Sequence, residues 1–324
     1  MLLQRYGFIT GLACAILAAI CFPHEGVMDA QLWNRPLLDI AIWLIFFRQG
    51  LSMQTGELLA GRAPLRLHAF VLSWNFILFP AANALLLFFL HPLIAEELKL
   101  GFYMLSVMPT TVASAIALTS ASGGHTANAL FSTVYSNLIA IVWVPTVSIL
   151  YLRFSGIPDF GIFEALTKLT LLVALPLFIG QLVRSIFPNL SATLCQKTVW
   201  FCPVIILWLV YIAFVRSLLS DSFTQLPAKQ VILTITLSGV LLLLVSGLVT
   251  WSARWLRLER ERRIAAFYCA SQKSLVTGLP LTASIFTGIG QETLLAVALW
   301  PLLAYHTLQL LLAAGILSYN RKQI

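Results

Sequence analysis

The residues Ser271-Gln272-Lys273-Ser274 lie near the middle of a 28-residue stretch, Ile264 to Gln291, that carries no other charge. A lysine at the centre of an apolar segment of membrane length is costly unless it is solvated, paired or neutralised. Gly278 and Pro280 weaken a helix there, and the polar neighbours of the lysine can satisfy an unwound backbone. About nine apolar or small residues on either side disfavour the alternative, in which Lys273 reaches the membrane surface. Lys273 is therefore the first candidate functional residue.

The composition is that of a membrane protein. Hydrophobic residues make up 60% of the 324 and charged residues only 10%, and the mean hydropathy is +0.92. Uncharged runs cover Leu100 to Leu152 (53 residues), Leu67 to Ala95 (29) and Thr293 to Asn320 (28). Since a spanning helix needs roughly 20 apolar residues, the chain has room for many spans. No stretch between them is long enough for a second domain, so we predict a single membrane domain over residues 1–324.

We predict an all-α polytopic protein with ten membrane-spanning helices. The second of them has Asp39 and Arg48 near its ends. The first could be mistaken for a signal peptide, but the residues before Cys14 and Cys21 make poor cleavage sites, so we keep it as a helix. The predicted spans are about 6–23, 37–53, 67–91, 99–121, 126–152, 163–184, 199–217, 230–253, 263–288 and 292–318.

The distribution of basic residues predicts the orientation. With the N-terminus in the cytoplasm, 13 lysines and arginines fall in inner segments and six in outer segments, which places both termini inside. The run Arg254 to Arg263 is the strongest single signal. We do not expect it to bind nucleic acid, because it contains Glu259 and Glu261 and lies between two spans. The compact loops favour a protein of the bacterial inner membrane, with the lipid bilayer as its partner and the oligomeric state left open.

Other chemistries find little support in the sequence. The five cysteines show neither a metal-ligand spacing nor a disulfide framework, and the histidines form no HExxH or similar cluster. His306 lies within a predicted span, where a hydrogen-bonded packing role is favoured over proton relay. The acidic residues lie near span ends or in loops, so we expect no enzyme, no cofactor and no metal beyond a coupling Na⁺ or H⁺.

The ten spans divide into two halves of five, residues 1–153 and 154–324, which an odd number of spans makes opposite in topology. The first half has Pro109-Thr110-Thr111-Val112-Ala113-Ser114 within its fourth span, and the second has Ser271 to Ser274 within its fourth span. Transporters are often built from such inverted repeats with interrupted helices at corresponding places. The sequence therefore predicts two broken helices, spans four and nine.

Polar residues gather beside the first break. Thr110, Thr111 and Ser114 lie at it. The next span adds polar residues whose spacings of three or four place them along one helical face: Asn128, Ser132 or Thr133, and Ser136 or Asn137. Half-helix N-termini attract anions and freed carbonyl groups coordinate cations, so these residues are candidates for a binding site. The alternative is that small polar side chains only join helices together.

These motifs resemble the bile acid:sodium symporter superfamily. The resemblance rests on Pro109 to Ser114, Gly123-Gly124, the polar fifth span, Ala270-Ser271-Gln272-Lys273-Ser274-Leu275 and Phe46-Phe47-Arg48-Gln49-Gly50-Leu51-Ser52. It covers nearly the whole chain and is greatest for the subgroup that contains the seventh human member and bacterial symporter-like proteins. It implies a panel domain of spans 1, 2, 6 and 7, a core domain of spans 3–5 and 8–10, and a site where broken spans four and nine cross.

The resemblance also implies a reduced sodium site. Family members bind two sodium ions, and the matching positions here are Asn75, Ser114, Thr133 and Gln272. The glutamate shared by the family falls at Tyr268, two further ligand positions are Ala115 and Ala129, and the asparagine after the glutamine is Lys273. We therefore expect the lysine ammonium to replace at least one sodium ion, with its charge either fixed or cycled by proton coupling.

The sequence thus predicts a secondary active, symporter-like carrier of a small organic anion that works by alternating access. A sensor or regulatory protein of ion homeostasis on the same fold is the alternative, and it would bind without moving a solute. The candidate residues for substrate or coupling are Lys273, Thr110, Thr111, Asn128, Asn137 and Ser271.

Overall fold

A computed structural model describes residues 2–22, 35–52, 64–154, 167, 170–219, 228–288, 290 and 294–321. Within these residues all regular structure is helical. The first group of helices is α1 (Leu2–Cys21), α2 (Arg35–Ser52), α3 (Leu65–Ser73), α4 (Phe79–Leu90), α5 (Glu96–Val107), α6 (Ala113–Ala121) and α7 (Thr126–Phe154). The second group is α8 (Leu175–Ile186), α9 (Pro188–Lys197), α10 (Phe201–Leu219), α11 (Ala228–Trp255), α12 (Arg260–Ser271), α13 (Leu275–Gly288) and α14 (Leu295–Arg321). Two π-helical segments, Trp74–Leu78 and Thr170–Ala174, precede α4 and α8.

Several of these helices are apolar enough for a membrane. In the described part of the chain, four helices have the length and composition to cross one: Leu65–Leu93, Thr126–Leu152, Ala228–Trp255 and Leu295–Leu317. A fifth span results if the pair α9 and α10, bent by 52°, is counted as one. The all-helical class is confirmed, and the count of ten spans stays a prediction.

One helix appears where the sequence predicts a connection between spans. The ten residues of α9 fall between the predicted spans 163–184 and 199–217. Pro188 is its first residue, a position where the missing N–H costs nothing and the fixed φ favours a helix. Hydropathy alone misses it, because half of its ten side chains are polar.

The chain divides into two compact units. The first comprises Met1–Met53, Pro145–Pro227 and Leu279–Leu299. In it, α2 and α8 meet at two glycines: a Cβ on Gly50 would lie 2.2 Å from the carbonyl oxygen of Leu177, and one on Gly180 would lie 2.2 Å from that of Phe47. Small residues allow this close approach of two backbones. Gly50 in the early sequence motif is therefore a packing residue.

Arg48, from the same motif, ties α2 to the bend between α9 and α10. Its Nε donates to Oγ1 of Thr198 at 3.1 Å, and its Nη2 donates to the carbonyl oxygen of Cys195 at 3.0 Å. Both acceptors lie where the chain changes direction, so the guanidinium satisfies a helix C-terminus that would otherwise lack donors. The motif thus holds the first unit together.

The second unit comprises Gln54–Val144, Ala228–Gly278 and Trp300–Ile324. Helix α12 packs against α3, α6 and α11, which encloses its second half. The loop after α6 approaches α12 closely: the N–H of His125 donates to the carbonyl oxygen of Glu261 at 3.1 Å, and a Cβ on Gly124 would lie 2.7 Å from Ile264. This unit contains Lys273 and both helix breaks.

Candidate functional site

The first break separates α5 from α6 at Met108 to Val112. Met108 turns the chain to an extended conformation with φ −67° and ψ 149°. Pro109 has no N–H, and the N–H of Thr110 donates at 3.3 Å to the hydroxyl of Ser136 rather than to the carbonyl of Ser106, its partner in a continued helix. The end of α5 therefore presents carbonyl oxygens without intrahelical donors.

The second break separates α12 from α13 at Gln272 to Ser274. Gln272 is extended, with φ −91° and ψ 144°, and the N–H of Ser274 donates to the carbonyl oxygen of Pro109 at 2.8 Å. This hydrogen bond joins the two breaks directly. The hydroxyl of Ser274 accepts the N–H of Thr277 at 3.1 Å and so caps the start of α13.

A glutamine side chain completes the second break. Oε1 of Gln309 accepts the backbone N–H of Lys273 at 2.8 Å, and its Nε2 donates to the carbonyl oxygen of Lys273 at 2.8 Å. Nδ1 of His306 lies 3.3 Å from the same carbonyl oxygen and 2.8 Å from Nε2 of Gln309. The side chain of Gln309 thus supplies both hydrogen bonds that an unwound peptide loses.

The π-helical segment Trp74–Leu78 also leaves a carbonyl oxygen without a donor from its own helix, in addition to those at the end of α5. In an α-helix the carbonyl of Asn75 would accept the N–H of Phe79, but that N–H bonds to the carbonyl of Trp74 instead. In a π-helix the partner would be residue 80, which is a proline without an N–H. The carbonyl oxygen of Asn75 is therefore left for a donor outside its own helix.

Lys273 binds carbonyl oxygens from both the end of α5 and the π-helical segment. Its Nζ donates to the carbonyl oxygens of Met108 at 2.8 Å, Ser106 at 2.9 Å and Asn75 at 3.0 Å. The ammonium also lies 4.1 Å from the ring centroid of Phe79. Each of its three N–H bonds has an acceptor, and the side chain is fully buried. We call these three carbonyl oxygens the carbonyl cage.

Three carbonyl acceptors around Nζ call for three N–H donors, which only the ammonium form of lysine has, so the cage suits a positive charge without a carboxylate. Ser106 and Met108 stand at the C-terminal end of α5, where the helix dipole is negative and favours a cation. Within the described residues no group of three or more histidine, cysteine, aspartate or glutamate side chains is placed to bind a metal ion. Backbone carbonyls and the aromatic ring together offset the cost of burying the ammonium.

A second polar cluster lies beside the cage. Oε1 of Gln272 accepts the hydroxyl groups of Thr111 at 3.0 Å and Ser114 at 3.3 Å, and the two hydroxyls lie 2.5 Å apart. Thr111 lies in the first break, Ser114 in the first turn of α6 just after it, and Gln272 in the second break. They bond to one another, so the predicted positions Gln272, Thr111 and Ser114 form one hydrogen-bonded set.

Two asparagines complete the surroundings. Nδ2 of Asn137 donates to the carbonyl oxygen of Thr110 at 3.0 Å, and its Oδ1 accepts the hydroxyl of Thr277 at 2.7 Å. Nδ2 of Asn75 donates to the hydroxyl of Ser136 at 3.3 Å and to the carbonyl oxygen of Cys269 at 3.2 Å. Among the described residues, Oδ1 of Asn75 and Oγ1 of Thr110 are buried with no hydrogen-bond partner.

Ser271 and Thr133 make side-chain hydrogen bonds within their own helices, and the backbone N–H of Asn128 bonds to a nearby histidine. The hydroxyl of Ser271 donates to the carbonyl oxygen of Phe267 at 2.6 Å, and that of Thr133 donates to Leu130 at 2.9 Å, each within its own helix. The N–H of Asn128 donates to Nδ1 of His125 at 3.3 Å. The structure therefore gathers Lys273, Thr110, Thr111, Ser114, Asn75, Asn137 and Gln272 around the two breaks.

Three further residues at the breaks, Gln309, Thr277 and Tyr305, were not predicted from the sequence. The hydroxyl of Tyr305 donates to the carbonyl oxygen of Ser271 at 2.7 Å, at the end of α12. A signal was present, because Tyr305, His306 and Gln309 are polar residues three to four positions apart in an uncharged run. That spacing places them on one face of α14, which is the face that meets the second break.

Comparisons with known proteins agree over almost the full length. The SBF-like CPA transporter family matches residues 6–322. Sodium/bile acid cotransporter 7 of Mus musculus is 32% identical over 322 residues, which cover 96% of this chain and 91% of the relative. The corresponding protein of Danio rerio is 30% identical over 322 residues, covering 97% and 93%. The protein named "Putative symporter YfeH" of Escherichia coli K12 is 28% identical over 319 residues, covering 98% and 93%.

Proposed function

The chain belongs to the SBF-like CPA transporter family, and we propose that it is a secondary carrier of a small organic anion in which Lys273 takes the place of a bound sodium ion. The observation that carries this proposal is the carbonyl cage: three carbonyl oxygens hold the ammonium at 2.8 to 3.0 Å. Neutral oxygens of this kind are the ligands that hard cations prefer. The ammonium thus acts as a cation that is built into the fold.

The same geometry disfavours a sodium ion beside Lys273. The three cage oxygens are already bonded to the ammonium. A second cation about 4 Å away would be repelled by about 4 kcal/mol at an effective dielectric constant of about 20. The position where the resemblance implies a carboxylate is Tyr268, so no negative charge from that position offsets the repulsion. We infer that no sodium ion binds beside Lys273, so that transport does not depend on Na⁺.

The buried ammonium does not itself contact the solute. All three of its N–H bonds point to protein acceptors, and its side chain has no exposed surface. Its contribution is to hold the ends of α5 and α12 and the π-helical segment in one arrangement. The preference for an organic anion rests instead on the relatives, of which the mouse protein is named a sodium/bile acid cotransporter.

The architecture that fits this function has ten spans in two inverted repeats, residues 1–153 and 154–324. Its support is that each half has an interrupted helix, α5 and α6 in the first and α12 and α13 in the second, joined through Ser274 and Pro109. The first compact unit holds the described parts of predicted spans 1, 2, 6 and 7, as a panel domain would, and the second holds most of the others, as a core domain would. The basic residues favour both termini in the cytoplasm of a bacterial cell.

Flux through reconstituted protein tests the proposal. Full-length protein is reconstituted in proteoliposomes, and radiolabelled taurocholate, chosen because of the bile acid relatives, is added outside the vesicles as the first probe. Uptake is measured with Na⁺ replaced by choline at constant pH, and separately across a pH gradient. We expect uptake that persists without Na⁺, and uptake that collapses without Na⁺ would contradict the role of Lys273. A thermal-shift screen of other organic anions precedes the flux assay if taurocholate does not bind.

Lys273→Ala and Lys273→Arg are the test variants, and Lys197→Ala is the matched control because Lys197 is exposed and lies in the first unit. We expect both Lys273 variants to lose uptake while the control keeps it. Anion binding without flux in any condition would favour the alternative, a sensor on the same fold. The full coordination of Lys273 is compatible with such a static protein, which is why flux is the deciding measurement.

A further inference from the structure

A second charged feature lies away from the carbonyl cage, at one end of the second unit. A cavity of about 280 Å³ opens between the end of α11 and the start of α12. Arg254, Arg260 and Arg263 line it together with the side chains of Ser122 and Tyr268. We call it the basic pocket. The proposed role of Lys273 in the carrier does not involve this pocket.

The turn between the two helices brings the arginines together. Helix α11 ends as the N–H of Leu258 bonds to the carbonyl of Ala253 at 3.3 Å, with Arg257 in the left-handed region at φ 52°. Helix α12 starts at Arg260, five residues after the last residue of α11, Trp255. Arg260 and Arg263 are three positions apart and share one face of α12, which turns both towards the pocket.

The three guanidinium groups are uncompensated. Within the part of the chain that the structure describes, none of them donates a hydrogen bond or forms an ion pair. The nearby acid Glu259 pairs with Arg262 instead, at 3.3 Å. Three like charges around one cavity repel each other, so the pocket favours an anion that can accept several N–H bonds.

Two exposed tryptophans indicate the depth of the pocket in the membrane. Trp251 and Trp255 lie one turn apart at the end of α11, with 67% and 75% of their surface exposed. Tryptophans at the end of an apolar helix mark the level of the lipid headgroups. Below them α11 presents exposed apolar residues, including Leu244 and Leu248, on which an acyl chain could lie. The basic pocket therefore faces the layer where lipid phosphates are found.

We propose that the basic pocket binds the phosphate group of an anionic phospholipid. The arginines bind the phosphate oxygens, and Phe267 and Ile264 form an apolar wall for the glycerol and upper acyl chain. Basic pockets between membrane helices on the cytoplasmic side are suited to such headgroups. The basic run that sets the orientation thus also contains a lipid site.

Native mass spectrometry of the full-length protein tests the proposal. Protein stripped of lipid in neutral detergent is titrated with phosphatidylglycerol, with phosphatidylcholine and with inorganic phosphate. The test variant combines Arg254→Gln, Arg260→Gln and Arg263→Gln. A control variant with Arg66→Gln, Arg184→Gln and Lys197→Gln removes the same charge elsewhere. We expect phosphatidylglycerol to bind more tightly than phosphatidylcholine, and the test variant to bind it on the order of tenfold to hundredfold more weakly than the control.

Each outcome decides one part of the proposal. Equal losses in the two triple variants would overturn it, because net charge rather than the pocket would explain the binding. Displacement of phosphatidylglycerol by inorganic phosphate at equal concentration would assign the site to a free anion and overturn the lipid assignment. If the triple variant does not fold, the single variants Arg254→Gln and Arg260→Gln at exposed positions are titrated in its place, and unchanged affinity in both would also overturn the proposal.

Discussion

Replacing Lys273 with alanine would leave the carbonyl cage without its cation. The carbonyl oxygens of Asn75, Ser106 and Met108 would each lose their donor in a buried site. An unsatisfied buried polar group costs about 1–3 kcal/mol, so the loss is roughly 3–9 kcal/mol before relaxation. If the ammonium stands in for a sodium ion, the emptied cage should bind Na⁺, and this yields a direct test of the proposed role.

The magnitude of the rescue follows from ligand linkage. At a Na⁺ concentration 100 times the dissociation constant, binding to the native state stabilises the protein by about 2.7 kcal/mol. We therefore expect Lys273→Ala to unfold at a higher temperature in NaCl than in choline chloride at the same ionic strength. The wild-type protein should show no such difference, because its cage oxygens already accept hydrogen bonds from the ammonium.

Lys99→Ala is the matched control for the thermal assay. Lys99 is also a buried lysine of the second unit, but its Nζ donates to the exposed carboxylate of Glu96 at 2.6 Å rather than to backbone carbonyls. Its removal leaves a carboxylate that water can solvate, so we expect no specific response to Na⁺. A response to Na⁺ that is equal in the two variants, or absent from Lys273→Ala, would refute the reasoning.

Further substitutions probe the supports of the site. Gln309→Leu removes both side-chain bonds to the Lys273 backbone, and we expect a loss of roughly 2–6 kcal/mol in chemical unfolding, with Gln309→Asn too short to restore it. Pro80→Ala supplies an N–H that can bond to the carbonyl of Asn75 in place of the ammonium. We expect uptake to fall severalfold, although alanine is the better helix former. Unchanged uptake would contradict the role of Pro80 in keeping that carbonyl available to Lys273. Gly180→Ala places a Cβ 2.2 Å from a backbone oxygen, so the melting temperature should drop, whereas alanine at Gly247, inside α11 with nothing within 4 Å, should leave it unchanged or raise it slightly.

The helix breaks were predictable because their causes are local. A proline at residue 109 and a charge at residue 273 disturb a helix wherever the rest of the chain lies, and the structure interrupts helices at both places. The partners of Lys273 were not predictable. They are backbone carbonyls, so no side-chain pattern encodes them, and all three come from positions more than 160 residues away.

The polar residues of α7 show the same limit. Thr133 and Asn137 are four residues apart on one helical face, so the sequence treats them alike. In the structure the short hydroxyl of Thr133 bonds to its own helix, while the longer amide of Asn137 also reaches the first break. Periodicity identifies the face that is turned to the site, but side-chain length and the position of the break decide which residues take part.

Because the acceptors of the carbonyl cage are backbone atoms, substitutions of the side chains that carry them do not remove a ligand. The cage depends on where α5 ends, on the π-helical segment and on Pro80, and it uses no side-chain atom of Asn75, Ser106 or Met108. A sodium site that relies on a carboxylate is lost when that one side chain changes. Here the ligands are backbone carbonyls and only the cation itself depends on a side chain, Lys273; the tyrosine at residue 268 instead hydrogen-bonds to Ser122 at the basic pocket. The position where the resemblance implies a carboxylate therefore lines, in this protein, the basic pocket for which we propose an anionic ligand.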